Sequence, residues 1–118
     1  PLTFEGAGAV GATIGSGAVV VFDEHTDIVD IVLRIAEFFR SESCGQCVPC
    51  RVGTVRQEEA LARLAGGRAR GGADLEVQLL GEIGTAMKDA SICGLGQTAY
   101  SAVESAMKHL GLFQEAQQ

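Results

Sequence analysis

Four cysteines and their spacing constrain this chain more than any other feature. Cys44, Cys47 and Cys50 form a Cys-x₂-Cys-x₂-Cys run, and Cys93 follows 43 residues after Cys50. Three thiols this close must share one tight loop. A fourth joins them only if the intervening chain runs out and comes back. A helical hairpin does this, because two antiparallel helices put the loop before the first and the loop after the second at the same end. Three thiolates at such spacing can reach three iron corners of one [4Fe–4S] cluster, and Cys93 is the thiol left for the fourth corner.

Two other chemistries use the same side chains. Tetrahedral zinc is the main rival, but a Cys₄ zinc site typically draws two ligands from each of two Cys-x₂-Cys knuckles. The split here is three and one, which favours a cluster. A redox dithiol at Cys44 and Cys47 belongs in a βαβ setting, and the surrounding pattern is helical instead. The glycines beside the cysteines, Gly45, Gly53, Gly94 and Gly96, are expected to let backbone approach inorganic sulfide. Arg51, next to Cys50, can offset part of the thiolate charge or act as an ordinary surface cation. Pro49 suits a helix start.

The remaining sequence reads as one small, mainly α domain, since 118 residues do not supply two independent cores. Residues 1–24 are Gly-rich and end in Ala18-Val19-Val20-Val21-Phe22, a β-branched run that reads as a short strand in need of a partner. From Thr26, taken as an N-cap, Ile28, Ile31, Val32, Ile35, Phe38 and Phe39 recur at helical spacing to about Arg40. A second helix is expected over about 52–65, from Pro49 at the earliest, with Val52, Val55, Leu61, Ala62 and Leu64 inward. Residues 66–73 form a glycine- and arginine-rich connector, expected to be exposed and mobile. Asp74 then looks like an N-cap, followed by Leu75, Leu79, Leu80, Ile83 and Met87 to about Lys88. A second cysteine loop at 91–96 leads to a fourth helix over about 97–110, with Ala99, Val103, Met107 and Leu110 inward and Gly111 as its stop. The expected architecture is a four-helix bundle over residues 25–118 with the cysteines in its interhelical loops.

Composition narrows the partners. A net charge of −6 argues against nucleic acid and anionic lipid, and no Trp with one Tyr leaves no stacking platform. No apolar run nears the roughly 20 residues of a membrane span. The first residues lack the basic start and apolar core of a signal peptide, and the missing initiator Met suggests a trimmed or internal piece. Free cysteines without a secretion signal suit a reducing compartment, so a cytoplasmic setting is expected, including the inner face of a membrane-bound complex.

Several other signals carry no expected site. Gly6-Ala7-Gly8-Ala9-Val10-Gly11 fits G-x-G-x-x-G, but no core strand precedes it and a poor helix former follows, so turns are expected there. His25 and His109 are read as helix-end or surface residues, and Met87 and Met107 as core. Glu58 and Glu59 are read as facing solvent on a helix, pointing apart and forming no acid–base dyad. No catalytic residue is expected in the chain.

The segments Glu42-Ser43-Cys44-Gly45-Gln46-Cys47-Val48-Pro49-Cys50-Arg51-Val52-Gly53-Thr54 and Ser91-Ile92-Cys93-Gly94-Leu95-Gly96 resemble the C-terminal part of NADH-oxidising flavoprotein subunits. That family includes the NADH-binding subunit of respiratory complex I and the diaphorase or β subunits of NAD-linked hydrogenases and formate dehydrogenases. Residues 14–21 resemble the segment that precedes the cluster helices there. The resemblance implies that Cys44, Cys47, Cys50 and Cys93 hold a [4Fe–4S] cluster. It implies that an upstream domain binds FMN and NAD(H), and that a β-grasp-like domain, of which residues 1–24 are the end, links the two. Electrons would pass one at a time from the flavin to further iron–sulfur centres in other subunits. This chain alone would then not oxidise NADH. The reading from a different class is a structural zinc or apo bundle that docks another subunit.

Overall fold

A computed structural model describes residues 2–114; Pro1 and residues 115–118, which the expected domains 1–24 and 25–118 include, lie outside the described residues. The described chain is mainly helical. It contains α1 (Phe4–Ala9), α2 (Ile28–Glu42), α3 (Val48–Ala65), α4 (Ala73–Ala90), α5 (Gly94–Thr98) and α6 (Ser101–Leu110).

The core is built where the apolar stripes meet. Val32 and Ala36 of α2, Ala60 and Leu61 of α3, Leu80 of α4, and Val103 and Ala106 of α6 form one buried cluster. The helix α3 packs on both α2 and α4 and so sits at the centre. The α3–α4 approach is close because Gly53 has no side chain: a Cβ there would lie 2.7 Å from the Met87 sulfur. Gly53 therefore serves helix packing, not the approach to a sulfide expected from its place beside the cysteines. Arg40 and Glu58 tie α2 to α3 through a 2.7 Å ion pair, and Glu59 pairs with Arg56 at 2.8 Å. The two adjacent glutamates diverge as expected, but each is half-buried in an ion pair.

Several local expectations need correction. The stretch 6–11, read as turns, falls largely within α1, because Thr3 caps that helix by accepting the Gly6 N–H at 3.0 Å. The run 18–22 forms no strand. Val19 is 85% exposed and Val21 88%, and among the described residues no second strand lies alongside to take their backbone hydrogen bonds. The N-cap of α2 is Asp27, not Thr26; its carboxylate accepts from the N–H groups of Val29 and Asp30. The N-cap of α4 is Gly72, and Asp74 stands in the first turn.

The expected fourth helix is two helices. The Ala99 carbonyl accepts the Gln57 side-chain N–H at 2.9 Å, so α3 holds the chain at the point where the helix breaks. Beside it the Tyr100 ring lies against Gly84, where any Cβ would overlap the ring. Gly111 ends α6 in the left-handed conformation at φ 68°. Val52, Leu75, Leu79 and Leu110 are exposed instead of inward, since each helix carries more apolar positions than its packed face uses.

The connector between α3 and α4 is anchored. Arg68 N–H donates to the Arg63 carbonyl at 2.8 Å, and Arg70 N–H donates to the Glu76 carboxylate at 2.8 Å. Arg63 completes the arrangement with two donors to the same carboxylate, one of them at 3.1 Å. Glu76 is 1% exposed, and the Arg63 guanidinium holds its carboxyl below the usual range, with the Arg70 N–H assisting, against the opposing effect of burial.

Candidate functional site

The helices α2, α3, α4 and α5 bring their ends together around one cavity of about 240 Å³. Cys44 lies in the turn after α2, Cys47 is the N-cap of α3, Cys50 sits in the first turn of α3, and Cys93 is the N-cap of α5. All four line this cavity, with Ile92 and Leu95 supplying apolar wall. The structure thus gathers every cysteine that the spacing singled out. All four are free thiols; Cys44 and Cys93 are exposed, Cys47 is half-buried, and Cys50 is 6% exposed.

The walls hold the thiols in place. Arg51 reaches back from α3 to donate to the Gly45 carbonyl at 3.1 Å, closing the first loop on itself. Ser43, the C-cap of α2, places its Oγ 3.2 Å from Cys50 Sγ. Gln97 donates from α5 to the Ser91 carbonyl at 3.0 Å and fixes the second loop. Gly96 lets the start of α5 approach the first turn of α3: a Cβ there would lie 2.9 Å from Cys50 Cβ and nearer still to Ser91. Gly96 is thus needed for contact between these two helix starts, and of the four glycines considered from sequence only Gly45 lines the cavity.

Cys47 joins the loops electrostatically. The Ile92 N–H pulls its thiol below the usual range most strongly, followed by the Cys50 N–H, and these outweigh partial burial. The Ser91 hydroxyl adds the smallest contribution; its Oγ is buried without a hydrogen-bond partner, so it acts on the sulfur from outside bonding geometry. A thiol biased towards thiolate is the form that binds metal.

The donor set fits a sulfur-ligated group. Among the described residues no three His, Cys, Asp or Glu side chains converge tightly enough to hold a single metal ion. The thiols surround a volume, whereas a tetrahedral zinc draws each sulfur to about 2.3 Å of one point. Four acceptor sulfurs around a small, partly apolar space suit a guest with several metal corners. His25 and His109 stay exposed and away from this wall, Met87 is core, and Met107 packs at the core edge. Sequence reasoning missed Ser43 and Ser91, since a serine beside a cysteine carries no periodic signal; only the closeness of Ser43 to Cys44 hinted at it.

Fold and cavity together define a helical domain of the thiol-donor class, one that offers several sulfur atoms to a single small guest. Residues 30–116 match the family described as the NADH-ubiquinone oxidoreductase-F iron-sulfur binding region, and the chain belongs to that family. It is 41% identical over 109 residues to the F subunit of NADH-quinone oxidoreductase from Mycobacterium tuberculosis, covering 92% of this chain and 24% of that protein. The same protein of Streptomyces coelicolor is 38% identical over 109 residues, with the same shares covered. A crystal structure of an NAD⁺-reducing [NiFe]-hydrogenase in the H₂-reduced state matches at a TM-score of 0.81 and 38% identity, over 99% of this chain and 19% of that one. The chain therefore spans about a quarter of the length of these two oxidoreductase relatives. No helix among the described residues is long and apolar enough to cross a membrane.

Proposed function

We propose that Cys44, Cys47, Cys50 and Cys93 ligate a [4Fe–4S] cluster, and that the domain carries electrons within an NADH:acceptor oxidoreductase subunit. The observation that carries this reading is that all four thiols of an iron–sulfur family member line one cavity. The cluster, when bound, accepts and releases electrons singly, taking them from FMN reduced by NADH elsewhere in the parent subunit and passing them towards further iron–sulfur centres.

The chain's own residues hold and shield. Cys44 and Cys47 present two sulfurs from the loop before α3 and Cys50 a third from its first turn, and Cys93 presents the fourth across the cavity. Ile92 and Leu95 supply apolar wall beside the sulfurs. The Ile92 N–H stabilises negative charge on the Cys47 sulfur, and Arg51 braces the loop through Gly45. In this reading α2, α3, α4 and the broken pair α5–α6 act as a four-helix bundle. Residues 25–118 are its domain, and residues 1–24 end the linking domain that leads from the FMN and NADH sites. The whole would sit at the cytoplasmic face of a multi-subunit complex.

Anaerobic reconstitution of the 118-residue chain with iron and sulfide tests the reading. About four irons per chain and a broad visible absorption bleached by dithionite are expected, with uptake lost in a Cys50→Ser, Cys93→Ser double variant. Stoichiometric zinc that resists exchange, with no iron uptake, would favour the structural docking module and overturn the proposal.

A further inference from the structure

We propose that Ser43 raises the reduction potential of the centre from outside the ligand set, by donating its hydroxyl hydrogen to the Cys50 sulfur. The inference rests on the reading of Cys50 as a ligand and adds a tuning residue to it.

Ser43 Oγ and Cys50 Sγ stand 3.2 Å apart. Between a hydroxyl and a free thiol either atom can donate. A sulfur bound to iron has lost its proton and can only accept, so the hydroxyl must then be the donor. A second contact agrees with that direction. The Gly45 N–H donates to Ser43 Oγ at 3.4 Å, which occupies a lone pair and leaves the hydroxyl hydrogen free to face the sulfur.

The serine is held where it is. Its own N–H is bonded to the Phe39 carbonyl at 3.1 Å, so the last turn of α2 sets its height above the cavity. Gly45, in the left-handed region at φ 76°, turns the chain that follows its N–H, the group that bonds Ser43. The Gly45 carbonyl is in turn tied by Arg51, the residue after Cys50. The path from Ser43 through Gly45 and Arg51 to Cys50 is a closed ring of contacts, and Ser43 also lines the cavity wall. With Cys50 only 6% exposed, little water competes for the sulfur.

Hydrogen bonds to cluster sulfurs are among the recognised levers on potential. A donor stabilises the more negative, reduced state more than the oxidised one, because hydrogen bonds strengthen as the acceptor gains charge. Removing the donor must therefore lower the potential while leaving all four ligands in place.

The test compares Ser43→Ala and Ser43→Thr with the parent, each as the reconstituted 118-residue chain, by iron content and redox titration. At the parent's midpoint the Ala variant should show a reduced-to-oxidised ratio three- to tenfold lower, about 30–60 mV for a one-electron centre. The Thr variant, which keeps the hydroxyl, should stay within twofold. Full iron with an unchanged ratio in Ser43→Ala, or a Thr variant that shifts as far as Ala, overturns the proposal. A parent chain that takes up no iron overturns the ligand reading as well, so the two failures are distinguishable. A second measurement needs no variant: in the loaded parent, a brief exchange into D₂O, which replaces hydroxyl hydrogens before helix-held amide ones, should shift the Fe–S(Cys) stretching bands in resonance Raman. No shift in the parent would count against the proposal even if Ser43→Ala failed to fold.

Discussion

At one end of the α3–α4 hairpin a buried carboxylate has all its partners within the chain; at the other, four thiols have few. Glu76 accepts from Arg63 twice and from the Arg70 N–H, so its charge is met without help. Cys44 and Cys93 are exposed at the opposite end, and among the described residues only Ser43, a few backbone N–H groups and the nearby Ser91 hydroxyl attend the other two sulfurs. The connector end is a finished structure held by ion pairing. The cysteine end is shaped to receive something. One hairpin thus separates the part that makes the fold stand from the part that makes it work, and each end should respond to a different perturbation.

The largest effect is expected at the finished end. Arg63→Met leaves Glu76 buried and charged without its main partner and should cost about 3–5 kcal/mol in urea unfolding. Replacing both partners by apolar residues of similar volume should restore most of that. A loss under about 1 kcal/mol from Arg63→Met would show that the connector end is not what holds the hairpin.

A smaller effect is expected where the starts of α5 and α3 touch. Gly96→Ala forces a methyl against Ser91 and to within 2.9 Å of Cys50 Cβ, and overpacking of this kind costs about 1–3 kcal/mol. Because the strain falls on Ser91 beside Cys93 and on Cys50, iron retention should drop more than helix content, measured by iron analysis and circular dichroism on the same sample. Equal loss of both would erase the division between the ends.

The smallest effect is a slope. The folded-state value of Glu76 is depressed, so its contribution is fully present above the ordinary glutamate range and is lost as pH falls through the folded value. Arg63 is pushed further up by the same pairing and stays charged throughout. Stability should therefore fall more steeply on acidification in the parent than in Glu76→Gln. Identical slopes would mean that the carboxylate is not held in its charged form.

Much of this was legible in the sequence because two signals are periodic or spaced. The stripe of Val32, Ile35 and Phe39 marks α2, and Cys-x₂-Cys-x₂-Cys with Cys93 marks both loops. What stayed hidden depends on contacts far along the chain. Glu76 looks like an ordinary first-turn acid until Arg63, 13 residues earlier, is brought against it. The break before Ser101 depends on Gln57 reaching Ala99 across 42 residues, and neither residue type announces it. Val19 to Val21 misled because β-branched residues signal a strand only where a partner exists to receive their hydrogen bonds. Val52, Leu75 and Leu79 misled for the opposite reason, since an apolar side chain on a helix need not be buried.

Cys50 opens one helix and Cys93 follows the next, with 42 residues between them. Whatever grips both sulfurs at once turns that stretch into a covalently closed ring. In a chain-entropy treatment, tying the ends of a loop this long removes about 4 kcal/mol of freedom from the unfolded chain. A centre placed at this point does more than sit in a finished fold. Holding both sulfurs, it would act as a knot in the chain, and the stability of the folded domain would then depend on its sulfurs staying bound.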